Sequence, residues 1–141
     1  MSEFPENTLP EKGEGRCLCS AVRFEWTAKP DWACICHCDS CRRAHNADYG
    51  SFFGVNDANW RWPGAEPKLY ESSPGVRRYF CGDCGSPMAA AADKFPGETH
   101  FYAASLTNPR DFRPTFEVHV SERLPWVRAF PDLPQHGGHS V

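Results

Sequence analysis

Eight cysteines stand in three short groups, Cys17-Leu18-Cys19, Cys34-Ile35-Cys36-His37-Cys38-Asp39-Ser40-Cys41 and Cys81-Gly82-Asp83-Cys84. No other feature narrows the possible folds as much, because thiols spaced this closely rarely serve one another. A C-x-C pair cannot close a disulfide without strain, and a chain of 141 residues buries a core without covalent staples. Met1 to Gly15 is polar and lacks the basic and apolar regions of a secretory signal, so a cytoplasmic, reducing location is expected. There, clustered cysteines bind metal or do chemistry more often than they pair as disulfides.

Cys81-Gly82-Asp83-Cys84-Gly85 has the form of a metal knuckle, a tight turn that aims two thiolates and several backbone N–H groups at one ion. A redox dithiol is the competing reading, but it calls for a following helix, and Gly85-Ser86-Pro87 does not supply one. A structural zinc takes four ligands, and Cys17 with Cys19 is the natural second pair. The expected first site is therefore a closed structural zinc on Cys17, Cys19, Cys81 and Cys84.

Cys36, Cys38 and Cys41 form C-H-C-x-x-C at the junction of a strand and a helix start. A helix N-terminus lowers thiol pKa and favours the metal-binding thiolate. Three protein ligands with a free fourth position is the pattern of a catalytic zinc, so these three are the candidate catalytic and second-zinc residues. Cys34, on the same strand parity as Cys36, can either close this site or lie beside it as a buried thiol. His37 should point away from Cys36 and Cys38 and be packed or hydrogen-bonded, while His45 and His119 are weaker site candidates. Arg16, Arg42, Arg43, Arg77 and Arg78 all lie near the cysteines. They can neutralise thiolates or hold substrate carboxylates, with Arg42 and Arg43 the candidates for cosubstrate binding.

Period-2 alternation runs through the first half: Leu18, Val22, Phe24 and Trp26 share one parity, with Cys17, Cys19, Arg23 and Glu25 on the other. This predicts one half-buried strand with both cysteines on its outer face, roughly 6.6 Å apart. Trp32–Cys36 predicts a second strand, and Asp39 or Ser40 can cap a short helix ending at Asn46. Further short strands are expected near Tyr49–Val55, Trp60–Trp62, Lys68–Tyr70, Val76–Phe80, Met88–Ala92, His100–Ala104 and Phe116–Val120. Thirteen prolines and eleven glycines punctuate these segments and leave no room for long helices. The expected fold is mainly β, in one domain over 15–130. A flexible arm over 1–14 and a frayed tail over 131–141 would flank it.

A formal net charge of −3 argues against a nucleic-acid partner, and no apolar run is long enough to span a bilayer.

Four segments also carry a resemblance. Gly15-Arg16-Cys17-Leu18-Cys19-Ser20-Ala21-Val22-Arg23-Phe24, Cys36-His37-Cys38-Asp39-Ser40-Cys41-Arg42-Arg43-Ala44-His45, Arg78-Tyr79-Phe80-Cys81-Gly82-Asp83-Cys84-Gly85-Ser86 and Glu117-Val118-His119-Val120-Ser121 occur in this order. Together they resemble the glutathione-dependent formaldehyde-activating enzyme family, also called the centromere protein V/GFA family. The resemblance implies an Mss4-like fold of several antiparallel β-sheets with one short helix after the CHCxxC motif. It also implies the same two zinc sets. The implied activity is that of a carbon–sulfur lyase of the S-(hydroxymethyl)glutathione synthase type, joining glutathione or a similar thiol to formaldehyde or another small electrophile. The protomer is expected as a monomer or homodimer. The alternative is a non-catalytic, zinc-stabilised interaction module on the same fold. Where the family often has glycine, this chain has Ser20 and Asn46.

Overall fold

A computed structural model describes residues 4–139. Ten strands and one α-helix form two sheets, so the fold is mainly β. In chain order the strands are β1 (Gly13–Arg16), β2 (Arg23–Trp26), β3 (Trp32–Cys36), β4 (Gly50–Asn56), β5 (Trp60–Arg61), β6 (Lys68–Ser73), β7 (Val76–Phe80), β8 (Pro87–Ala92), β9 (Glu98–Tyr102) and β10 (Phe116–Val118). The helix, α1, spans Asp39–His45. The small sheet has the order β1-β2-β5 and the large one β10-β3-β4-β9-β8-β7-β6. All pairings are antiparallel except β10 with β3, which is parallel and sets Val118 opposite Cys36.

The two sheets meet in an aromatic core. Phe24, Phe53 and Phe101 are fully buried, and the rings of Phe24 and Phe101 stack with centroids 4.4 Å apart. Val22, Phe24 and Trp26 face inward as their alternation predicts. The expected single strand, however, is a hairpin. Cys17-Leu18-Cys19-Ser20 forms its turn, closed by Cys17 N–H to Val22 O at 3.0 Å and Ser20 N–H to Cys17 O at 3.2 Å. Parity is lost at a turn, so Leu18 is 79% exposed and Cys17 is buried, the reverse of the alternating pattern. Ser20 adopts a left-handed conformation, φ 71°, at the position where glycine is common in the resembling family.

The cap of α1 is Cys38, not Asp39 or Ser40: its sulfur accepts the Cys41 N–H at 3.3 Å. Asn46 ends it in the left-handed region, φ 49°, as expected of its residue type.

Both expected floppy ends are tied down. Leu9 enters the core, and Asn7 is buried with its side chain donating to Pro30 O at 2.9 Å. The last segment runs beside β10, with Glu117 N–H to Pro134 O at 2.9 Å and His136 N–H to Glu117 O at 3.0 Å. One well-placed leucine, or one exposed strand edge, gives a polar segment contacts that composition does not display. The extreme ends of the expected arm and tail, residues 1–3 and 140–141, lie outside the described residues. Among the described residues, no helix is long and apolar enough to cross a membrane.

Candidate functional site

The β1–β2 turn and the β7–β8 turn converge. Cys17, Cys19, Cys81 and Cys84 bring their sulfurs within 4.8 Å of one another, although 62 residues separate Cys19 from Cys81. The Sγ–Sγ distances are 3.6 Å for Cys17–Cys19 and 3.7 Å for Cys19–Cys81. A tetrahedron of thiolates held at about 2.3 Å from a central ion has edges of roughly 3.8 Å, so this donor set fits a tetrahedral metal. Backbone amides also face the sulfurs: Val22 N–H donates to Cys17 at 3.3 Å, and Asp83 and Cys84 N–H both donate to Cys81 at 3.4 Å. Such donors stabilise thiolates, which is what the knuckle turn provides.

Ser86 clasps the two turns together. Its hydroxyl accepts Leu18 N–H at 3.1 Å and contacts the Cys84 sulfur at 3.2 Å. Hydrogen bonds from the Ser86 side chain and backbone hold the Cys84 thiol down near about 5. Cys19 goes the other way. The Ala21 backbone lowers it, but burial and the three neighbouring thiols push it up to about 12. The group thus shares its protons unequally, and a cation that balances the thiolates removes the conflict.

The second group is Cys36, Cys38 and Cys41, again within 4.8 Å, with Cys36 and Cys41 sulfurs 3.8 Å apart. That separation matches the same tetrahedral edge. Cys38 is held well below the usual thiol range by hydrogen bonding with the Cys36 and Cys41 thiols, assisted by the Cys41 N–H. Cys36 is pushed far up by its contacts with Cys38 and Cys41 and by burial. For Cys41 the Cys36 contact lowers the value, but Cys38 and burial outweigh it and push it up to about 11.

Cys34 is not among these convergent thiols. It lies buried with Phe52 and Phe116, and burial, reinforced by the nearby charge of Cys41 and Cys38, drives its thiol upward. His37 turns away from the sulfurs, as alternation predicts, and is fully buried against Glu117. His119 sits in a left-handed conformation, φ 54°, with its Nδ1 3.3 Å from Glu122.

Arg42 and Arg43 are both drawn to Asp39. Arg43 Nε donates to its carboxylate at 3.0 Å, while Arg42 donates to it at 3.4 Å and to His37 O at 3.2 Å. Arg77 pairs with Asp93 at 2.8 Å. The arginine that faces the second thiol group is Arg78, whose guanidinium is favoured by Cys41 and Tyr102 despite partial burial. Arg16 lies at the other end, donating to Cys17 O at 3.0 Å.

An open cleft of ≈ 520 Å³ lies against the first thiol group, with Cys17 in its wall, and reaches His45 at the end of α1. Arg16, Leu18, Ser86, His45 and Tyr102 are among the residues lining it. Tyr102 carries no motif signal for a site role, and Ser86, though it closes the Cys81–Cys84 motif, is not singled out by it. Only the meeting of β9 with α1, and of one turn with another, brings them there.

No curated protein matches the chain significantly. A Rhodobacter sphaeroides protein of known crystal structure superposes with a TM-score of 0.56 over 86% of this chain and 98% of its own, at 19% identity, a likeness of fold. The profile of the family described as "Glutathione-dependent formaldehyde-activating enzyme" matches residues 12–122, and the chain belongs to that family.

Proposed function

We propose that the protein adds a thiol, glutathione in the first instance, to formaldehyde or a similarly small aldehyde. The observation that carries this reading is the second thiol group. It comprises three convergent sulfurs, with Cys34 standing outside, and His45 of the same helix lines a cleft of ≈ 520 Å³ together with Tyr102. Zinc suits both donor sets by ligand type and by sulfur spacing. Cys17, Cys19, Cys81 and Cys84 would hold a structural zinc that ties the β1–β2 turn to the β7–β8 turn. Cys36, Cys38 and Cys41 would hold another. When bound there, zinc supplies Lewis acidity that lowers a thiol's pKa or polarises a carbonyl oxygen.

The chain's own residues do the rest. Cys38 caps α1 and is held as a thiolate, while the buried His37 beside it anchors the turn to Glu117. Leu18, exposed at the rim, offers apolar contact to a bound peptide, and Arg16 places positive charge at the end distant from Cys41. An interaction module without turnover would be favoured by Cys34 closing the second site, and Cys34 does not join it.

The test is adduct formation from glutathione and formaldehyde, followed by NMR on zinc-loaded protein. Acceleration that disappears in Cys38→Ser supports the reading. A rate equal to that of the uncatalysed mixture overturns it.

A further inference from the structure

Next to the second thiol group lie three polar atoms whose hydrogen-bonding capacity the described residues leave unused. Nη1 of Arg78, the hydroxyl of Tyr102 and Nδ1 of His45 are all buried and meet no partner at full hydrogen-bond geometry, although the Arg78 guanidinium lies against Tyr102 and Cys41. Tyr102 is only 7% exposed, and its neighbours are specific. Its ring lies 5.0 Å from that of His45, edge to face, and 4.5 Å from Phe52. Arg78 faces both Tyr102 and Cys41, while its Nε is engaged by Ser72 Oγ at 3.2 Å. Tyr102 and His45 line the cleft. A buried hydroxyl or guanidinium N–H without a well-formed hydrogen bond is costly, and a ligand that supplies the bond removes that cost.

The chemical types are informative. Arg78 and Tyr102 are donors. His45 Nε2–H donates to Tyr49 O at 3.1 Å, which leaves Nδ1 with a lone pair to accept a proton donor. Burial holds the His45 imidazole below its ordinary range and pushes Tyr102 up to about 12, so each keeps the neutral form that these roles need. Two donors and one acceptor grouped about Tyr102 suit an oxygen that begins as a carbonyl, gains negative charge and ends as a hydroxyl.

We propose that Arg78, Tyr102 and His45 form an oxyanion subsite that receives the oxygen of the small carbonyl substrate beside the second thiol group. This rests on the thiol-addition reading and specifies where the second reactant sits. In the addition, the thiol sulfur forms a bond to the carbonyl carbon. The carbonyl π pair moves to oxygen, and the proton given up by the thiol ends on that oxygen. Arg78 Nη1 and Tyr102 O–H donate to the oxygen as its charge develops, and His45 Nδ1 accepts a hydrogen bond from the new hydroxyl, which keeps its proton. Position favours the carbonyl oxygen over a glutathione carboxylate. In the product only one carbon separates oxygen from sulfur, whereas both carboxylates of the peptide lie many bonds from its thiol.

Two measurements on zinc-loaded protein test this, with Tyr102→Phe and Arg78→Lys as conservative variants whose folding is checked by thermal melting. The first is binding of [13C]formate, a one-carbon oxyanion without a thiol, followed by NMR line broadening. Wild-type protein is expected to bind it and both variants to bind at least tenfold more weakly. Absent binding, or equal binding by the variants, overturns the subsite whatever the activity. Formate binding without any adduct formation would keep the subsite and sink the thiol-addition reading instead. The second separates kcat from glutathione affinity. Tyr102→Phe should lower kcat on the order of 10²-fold, as removal of an oxyanion donor does, and leave the calorimetric Kd for glutathione within about twofold. A weakened glutathione Kd with unchanged kcat would assign these donors to a carboxylate and overturn the proposal.

Discussion

His37 Nε2–H donates to Glu117 Oε1 over 2.7 Å, and both side chains are fully buried. The second carboxylate oxygen of Glu117 accepts Phe130 N–H at 3.0 Å and Gln135 Nε2–H at 2.8 Å. One buried carboxylate therefore joins the thiol-bearing turn after β3 to the C-terminal segment. The parallel pairing of β3 with β10 makes this possible, since it sets Glu117 opposite Ile35 and one step from His37.

Glu117→Ala should destabilise the fold by about 3 kcal/mol, chiefly because it strands the buried His37 imidazole, and it also frees the part-buried N–H donors of Phe130 and Gln135. Urea unfolding measures it. A loss below about 1 kcal/mol would mean that the network contributes little to holding the turn.

Ser20→Gly should stabilise the protein by about 0.5–1 kcal/mol. The left-handed backbone at φ 71° strains any side chain, and relief of that strain exceeds the extra freedom glycine gives the unfolded chain. Thermal melts of the two proteins, both zinc-loaded, decide the sign.

Removing metal from the first group should release the β1–β2 turn. Only the turn's own hydrogen bonds and the Ser86 clasp would still hold Cys17–Ser20 to Cys81–Cys84, and a site of this kind couples binding directly to folding. Hydrogen exchange with and without a strong chelator should show faster exchange at Leu18 and Val22 amides and little change in β4 and β9. Unchanged protection at Val22 would mean the turn stands without the ion.

Loading Zn²⁺ into the second group near pH 7 should release two protons. Cys38 is held as a thiolate, while Cys36 and Cys41 are raised and keep their protons until metal displaces them. The sign follows: protons compete with metal, so affinity rises with pH, by up to about 100-fold per unit while both thiols stay protonated. Calorimetry of the second Zn²⁺ equivalent in buffers of different ionisation enthalpy counts the protons. A count of zero would contradict these thiol states.

Several features were legible in the chain because they are local. The knuckle at Cys81–Cys84, the strand Trp32–Cys36, the Asn46 helix end and the turning of His37 away from the thiols all follow from spacing within a few residues. Alternation and turn chemistry report on which face a side chain takes, and nothing farther away is needed to state it. The Cys17–Ser20 turn was missed for the same reason: its residues happen to continue the alternation of the strand that follows.

The sequence by itself determined the two donor sets, the mainly β character and the short helix that starts at the thiols. Tertiary structure alone decided that Asp39 captures Arg42 and Arg43, and that Arg78 of β7 and Tyr102 of β9 instead meet beside Cys41. It likewise decided that Leu9 and residues 134–138 are anchored, through a core gap and a free strand edge that exist only once the sheets assemble. The physical reason is that strand order and register are set by packing summed over the whole molecule. No short stretch of residues carries that sum.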